Sequence, residues 1–455
     1  MRILKNTNSL CNICFRKLDA EIVAKENKVY LIKTCSEHGK QEVLIWSNAA
    51  NYLDWAKYSL TADIYSNGCP AEKGCPFDCG YCQEHQGTTC TAVIEVTDRC
   101  NMRCNVCFAS GEKTGSDLPV SKIKEMLDYI KETQGLCSLQ LSGGECTLRD
   151  DLSDIVIYAK SIGFKHLQIN TNGIRLAEDL DYAKKLKDAG TDLIYLGFDS
   201  VESSTYMKIR NRDMKPIKDA CIKNCGVVNL GVILVPVIIK GLNNNQIGKI
   251  INYGKMHMPT VKGIHFQPAS QFGRFEMDNS EIEDRYTFPD LIKDMELQTR
   301  GEINASHIVP RKKQSAYCSF SSAYYLDKKN QLVAITRNDQ DAQQKQIAFA
   351  NSSNDEKMSI FARKTNDFTE RYWKQNKAKK LDRDSNLTKF NNRVKEYSFA
   401  ISAMPFQDVC NIDLERVKGC CVSVIDPSLK TIPLCLYYLT NLKGERLYRG
   451  GKCTV

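Results

Sequence analysis

Three cysteines, Cys100, Cys104 and Cys107, are separated by three and then two residues. Thiolates so spaced wrap one face of an iron–sulfur cubane, and because a [4Fe-4S] cluster takes four ligands, the loop leaves one iron open to a ligand from outside the protein. A zinc loop short of its fourth ligand is the other reading of this spacing. Cys75, Cys79 and Cys82, with Cys90 further along, supply four thiols, enough for a cubane or a four-cysteine zinc site. Cys11 and Cys14 precede Cys35 and His38 by about 20 residues, the pattern of a mononuclear ribbon holding zinc or a single iron. Cys420, Cys421 and Cys435, with Cys318 and Cys410 as completing candidates, form a C-terminal set able to hold a further cluster.

The surrounding segments must position these thiols. From Thr91 to Gln267, short β-branched runs alternate with amphipathic stretches, the signature of parallel βα units. Strands are expected at Ala92–Thr97, Ser138–Ser142, His166–Thr171, Leu193–Asp199, Val228–Ile239 and Gly263–Gln267. Helices are expected at Ser121–Thr133, Leu152–Ile162, Leu176–Ala189 and Gln246–Lys255. Six units over about 175 residues make an α/β fold, a partial (β/α)6 barrel whose chemistry belongs at the C-terminal ends of the strands. Cys100 follows the first strand directly. Residues 1–68 read as a metal-stapled module with short strands such as Val29–Thr34 and Glu42–Ile45. Residues 69–90 form an auxiliary iron–sulfur segment and 91–275 the barrel. Residues 276–409 make a helical, basic connector, and 410–455 a cysteine-bearing tail.

Composition narrows the setting. Of 21 cysteines, 11 lie within the first 107 residues and 6 after residue 317, a clustering that marks ligation or disulfides. Residues 1–9 turn polar at once, with no signal-peptide core, and the apolar stretch 227–239 is too short to span a bilayer. We therefore expect a cytoplasmic, reducing-compartment protein whose cysteines serve metals rather than disulfides. The net charge is +9. Residues 351–400 carry 12 Lys or Arg against 7 Asp or Glu, interleaved with Tyr372, Trp373 and Phe390, which suits a solvated helix face or peripheral contact with a membrane surface. We expect no nucleic-acid partner.

On these residues the sequence resembles the radical S-adenosylmethionine (SAM) superfamily. The resemblance rests on the 100–107 loop and on Ser142-Gly143-Gly144-Glu145 at the end of the second strand. It implies that SAM chelates the open iron, and that the backbone of Gly143 and Gly144 with the Glu145 carboxylate receives the SAM ammonium. Glycine permits that approach and an acid compensates the cation. Asn170 and Asn172, Asp199, and Gln267 stand at later strand ends as further cofactor contacts, and Arg210 as a clamp on the SAM carboxylate. Where the family commonly has proline after the glutamate, Cys146 stands.

Three longer stretches, around Thr34–Gly39, Gly74–Ala109 and Asp413–Cys435, resemble the tetraether lipid synthases and their uncharacterised relatives. That resemblance implies one or two auxiliary [4Fe-4S] clusters, a mononuclear zinc or iron, and a reductant such as ferredoxin or flavodoxin. It also implies hydrogen abstraction from an unactivated carbon, with carbon–carbon bond formation between lipid chains and a hydrophobic substrate. The alternative is radical modification of a peptide or small metabolite, or transfer of a SAM-derived group. A non-enzymatic, zinc-stapled binding protein is the reading from another class. The family's histidine and second cysteine near Cys318 are missing from Tyr317-Cys318-Ser319-Phe320-Ser321-Ser322-Ala323, which points to a remodelled tail site.

Overall fold

The computed structural model describes residues 1–58, 70–80, 82–276, 285–310, 315–336 and 393–450. Four antiparallel strands come first, β1 (Arg2–Leu10), β2 (Lys17–Lys25), β3 (Lys28–Cys35) and β4 (Gly39–Trp46), paired in sequence order. In β2, Leu18, Ala20 and Ile22 are buried while Lys17 and Asp19 are exposed, the period of a strand with one wet face. The helix Ala49–Ala56 follows and packs Trp55 and Tyr52 edge-on against Trp46. Phe288 and Tyr317 complete this aromatic cluster, so the N-terminal sheet is joined to the rest of the molecule through rings.

The barrel strands are β5 (Thr91–Glu95), β6 (Ser138–Ser142), β7 (Leu167–Thr171), β8 (Leu193–Gly197), β9 (Gly231–Val235) and β10 (Val261–Pro268). They lie parallel and adjacent in that order, each on the segment that the alternation marks. The expected strand at 228–239 is interrupted at Pro236, which has no N–H to give a ladder, and resumes as Val237–Ile238. Helices cover the outer face. Val120–Thr133 buries Ile123, Met126, Leu127 and Ile130, one stripe of a 3.6-residue period. The single helix expected at 176–189 divides into Ile174–Glu178 and Leu180–Asp188, because the Asp179 carboxylate caps the second by accepting from Tyr182 N.

The sheet runs beyond the six expected strands. β11 (Phe320–Leu326), β12 (Ser398–Ala403), β13 (Val422–Ile425) and β14 (Thr431–Pro433) extend both flanks. β12 lies parallel to β10 and β13 parallel to β5, while β11 and β14 are antiparallel outer strands. The expectation of a helical connector at 276–409 is thereby corrected. The helix Phe288–Gln298 is present, but Phe320–Leu326 and Ser398–Ala403 are buried sheet, with every residue of β12 buried. These strands are rich in small and apolar residues, and their pattern was masked in sequence by the charged stretch between them. The basic, aromatic part of that stretch falls within 337–392, outside the described residues.

The two flanks of the curled sheet meet at side chains. Arg416 Nε donates to Cys318 Sγ at 3.0 Å and Nη2 to Tyr317 O at 3.0 Å, linking the entry to β11 with the segment before β13. The N-terminal sheet seats on the same C-terminal segment. Lys33 Nζ donates to Val409 O (2.9 Å) and Cys410 O (3.1 Å), Ser9 Oγ to Ile412 O (2.6 Å), and Thr7 Oγ1 to Asp413. Inside the curl lies a cavity of about 660 Å³.

Candidate functional site

The loop after β5 brings Cys100, Cys104 and Cys107 to the cavity wall. Its shape is held by backbone pegs: Cys100 N donates to Glu112 O, Asn105 N to Ile209 O, and Arg274 Nη1 to Cys104 O. Burial pushes the Cys100 thiol up to about 12, against a hydrogen bond from Met102 N. Burial also raises Cys104, although the Arg210 guanidinium beside it pulls the other way. Three soft donors on one loop at the cavity wall, with the thiolate forms of Cys100 and Cys104 disfavoured by burial until a cation arrives, are a donor set that fits an iron–sulfur cluster.

The Ser142–Glu145 turn docks on the stem of that loop. Gly144 N donates to Thr97 O (2.8 Å) and Glu145 N to Arg99 O (2.7 Å). At Gly143 (φ +143°) a side chain would run into Thr97 O, and at Gly144 into Arg99 O, so glycine is required by the approach of the two loops. Glu145 is buried and accepts from Thr147 N (3.1 Å), Thr147 Oγ1 (2.6 Å), Thr171 Oγ1 (2.7 Å) and Asn172 N (2.6 Å). Its carboxylate thus ties the ends of β6 and β7 together at the rim. Asn172 Nδ2 donates to Asn101 Oδ1 on the cysteine loop (2.8 Å).

Arg210 and Asp199 form a buried bidentate pair at 2.6 and 2.8 Å, and Arg210 Nη1 also donates to Val106 O. Arg210 lines the cavity, whereas Asp199 is 1% exposed and reaches it only through the guanidinium. The reading of Asp199 as a direct cofactor contact is corrected on this point, since Arg210 and Val237 N occupy its carboxylate. Gln267 lines the cavity from β10. Sequence reasoning missed Lys218, on the helix Lys215–Val227, which is 3% exposed, donates to Asn172 O and lines the cavity. Burial pushes its ammonium down to about 8, with Asp199 opposing and Arg210 reinforcing. A lone lysine on an amphipathic helix gives no local signal.

Below the rim, polar side chains form a patch in a lining that is mostly apolar. Ser138 and Gln140 of β6, Gln168 and Asn170 of β7, Tyr195 of β8 and His265 of β10 line the cavity. Alternation in Ser-Leu-Gln-Leu-Ser and Leu-Gln-Ile-Asn carries this signal, with Leu139, Leu141 and Ile169 buried off the cavity wall. The opposite wing is apolar and aromatic, with Phe108, Phe406 and Tyr438.

The other cysteine sets fall differently from expectation. Cys11, Cys14, Cys35 and His38 converge, with ligand atoms all within 4.8 Å of one another. Tetrahedral ligands at Zn–S bonds of ~2.3 Å stand roughly 3.8 Å apart, so this set fits a mononuclear metal. Burial opposes ionisation of Cys11, but N–H groups of Ile13 and Cys14 and the Gln41 amide together pull the thiol down to about 6.

Cys75, Cys79 and Cys82 line one small cavity with His85, not with Cys90. Cys90 is joined in a disulfide to Cys421, because β13 runs beside β5 and sets Cys421 opposite it. Cys90 and Cys421, expected from the sequence in two separate ligand sets, are thus brought side by side. Cys318, Cys420 and Cys435 line the large cavity together with that pair. Cys410 lies apart, buried beside Gln271 and Arg285, and does not complete the tail set.

Residues 94–254 match the model of the radical SAM superfamily, and residues 3–47 that of the HMPTM N-terminal zinc ribbon domain. The chain is 33% identical to the 7,8-dihydro-6-hydroxymethylpterin dimethyltransferase of Methanocaldococcus jannaschii, over 95% of this chain and 93% of that one. It is 31% identical to a probable GTP 3′,8-cyclase of Methanothermobacter marburgensis over 42% of this chain, spanning 63% of that relative's length. Among solved structures it is similar to Streptococcus suis SuiB bound to precursor peptide SuiA, at 15% identity and a TM-score of 0.40 over 65% of this chain and 71% of that one. The relative spanning the whole chain is a pterin dimethyltransferase, so the expectation of lipid-chain coupling is not supported. No helix among the described residues is long and apolar enough to cross a membrane.

Proposed function

The chain belongs to the radical SAM superfamily and to the family of the pterin dimethyltransferase that spans it, and from that premise we propose that it transfers a SAM-derived methyl group to a small polar heterocycle, a reduced pterin in the first instance. The observation that carries this reading is the cavity's inner wall. Amides, a phenol and an imidazole gather there as one polar patch in a lining that is otherwise mostly apolar, the balance expected of a pocket that holds a flat heterocycle by its faces and reads it by a few polar groups.

In this reading Cys100, Cys104 and Cys107 hold the catalytic [4Fe-4S] cluster. When bound, cluster and SAM supply a 5′-deoxyadenosyl radical able to take hydrogen from an unactivated carbon. The N–H groups of Gly144 and Glu145 are committed to the cysteine loop, so the turn offers carbonyl oxygen to the SAM ammonium, with Glu145 adding negative charge behind it. Arg210, fixed by Asp199, and Lys218 place two cationic groups at the same rim, where an anionic carboxylate is stabilised. Asn172 and Gln267 complete the cofactor contacts.

Cys75, Cys79 and Cys82 with His85 form the first auxiliary metal set. Cys318, Cys420 and Cys435 form the second, together with Cys90 and Cys421 once these are reduced. A one-electron donor of the ferredoxin or flavodoxin class serves as reductant.

The test is anaerobic incubation of the iron-reconstituted full chain with SAM, dithionite and 7,8-dihydro-6-hydroxymethylpterin. Mass spectrometry is expected to show gains of one methylene unit per transfer, absent with Cys104→Ala. SAM cleavage with no change in the mass of the pterin would sink the reading.

A further inference from the structure

Two buried acceptors on one strand have no hydrogen-bond partner among the described residues. They are Gln168 Oε1 and Asn170 Oδ1, at alternate positions of β7 and both on the cavity wall. Gln168 is 8% exposed. A buried amide acceptor left unmade costs free energy that a bound donor returns, so the pair marks where ligand N–H groups belong.

The neighbouring strands add to this. In the parallel register, Gln140 of β6 faces Gln168, and Tyr195 of β8 faces Asn170. Asn170 Nδ2 donates to Gln140 Oε1 at 3.4 Å, which joins the three amides in one patch. Along the same wall, Tyr195 and His265 stand with ring centroids 6.1 Å apart, two flat surfaces beside the amides. Gln168 lies four residues before Asn172, so at about 3.3 Å per residue it sits roughly 13 Å deeper than the rim where the cysteine loop docks. It therefore belongs to a different subsite from the rim groups.

We propose that Gln168, with Asn170 and Gln140 beside it, reads the donor edge of the substrate, a planar fused heterocycle carrying an amino group next to a ring N–H. The 2-amino-4-oxopyrimidine edge common to pterins and guanine has that pattern. Gln168 accepts from the exocyclic amino group, and its own amide NH2 is oriented toward ring acceptors. A purely apolar substrate would leave both acceptors unpaired, which is how the wall selects against one. The inference rests on the reading above, that this cavity takes a small polar substrate.

Binding of 7,8-dihydro-6-hydroxymethylpterin and of its 2-deamino analogue to the SAM-loaded full chain, titrated anaerobically, tests it. In the unaltered protein, removing the amino group is expected to weaken binding about tenfold or more. Gln168→Leu should weaken the parent pterin to a similar extent and leave the analogue unchanged, a coupling that a merely structural role would not produce. Gln168→Glu keeps an acceptor of similar size and should retain the preference for the amino group. It provides the same comparison if the leucine variant does not fold.

If amino-group removal costs the same in the unaltered protein and in the variants, the subsite assignment is overturned, while methylation of the pterin can still stand. If the pterin does not bind but GTP binds with this coupling, the assignment stands and the pterin reading falls. If neither heterocycle binds, the assignment is overturned.

Discussion

Asp199 and Arg210 show how one residue's place depends on another. Asp199 follows the end of β8 and Arg210 closes the helix Ser203–Arg210, and the structure binds them to each other and leaves only the guanidinium on the cavity. With the carboxylate 1% exposed, removing it leaves a largely buried cation without its partner. Asp199→Ala is accordingly expected to lower stability by about 3–5 kcal/mol, measured by chemical denaturation. Asp199→Asn, which keeps hydrogen-bonding capacity toward Arg210 and Val237, should lose less. Equal losses would show that the ion pair is not what holds this corner.

At the scale of elements, the site is a meeting of two loops. The cysteine loop leaves β5, the glycine turn leaves β6, and the backbone bonds from Gly144 to Thr97 and from Glu145 to Arg99 set their spacing. A methyl group at Gly144 meets the carbonyl oxygens of Arg99 and Asp98, backbone atoms that cannot swing aside as a side chain does. Gly144→Ala should therefore displace the cysteine loop. The expected result is a fall in iron and sulfide per chain after anaerobic reconstitution, with the far-UV circular dichroism of the barrel retained. Full cluster content in that variant would mean the loops tolerate separation.

At the scale of the whole molecule, the N-terminal sheet is a support for the C-terminal segment. Lys33, Ser9 and Thr7 hold Val409 to Asp413, and that segment leads through Arg416 to Cys318 and on to β13. A structural metal contributes folding free energy, so losing it should loosen both ends of the chain. Cys14→Ser is expected to abolish the mononuclear metal, lower Tm by several degrees and speed proteolysis between residues 405 and 420. Cleavage confined to the first 47 residues would show that the module folds independently of the tail.

The order of the barrel strands, the helices Val120–Thr133, Leu152–Ser161 and Ile247–Met256 over them, the cysteine loop and the mononuclear ribbon were legible along the chain, because each is a local pattern. A two-residue alternation, a 3.6-residue stripe and a ligand spacing need no distant partner to be recognised. The bounds of β6 match the alternation at both ends, and β7 starts one residue later than expected. What only the tertiary structure decided are contacts between segments hundreds of residues apart. Cys90 faces Cys421 because β13 joins the sheet beside β5; His85 then stands with Cys75, Cys79 and Cys82. Strands from 276–409 extend the barrel instead of forming a helical insertion, and Lys218 reaches the rim from the outer layer. The inward direction of Gln168 and Asn170 is a matter of curvature. Alternation says that one face of β7 is polar, and only the closing of the sheet around a cavity turns that face from solvent to substrate.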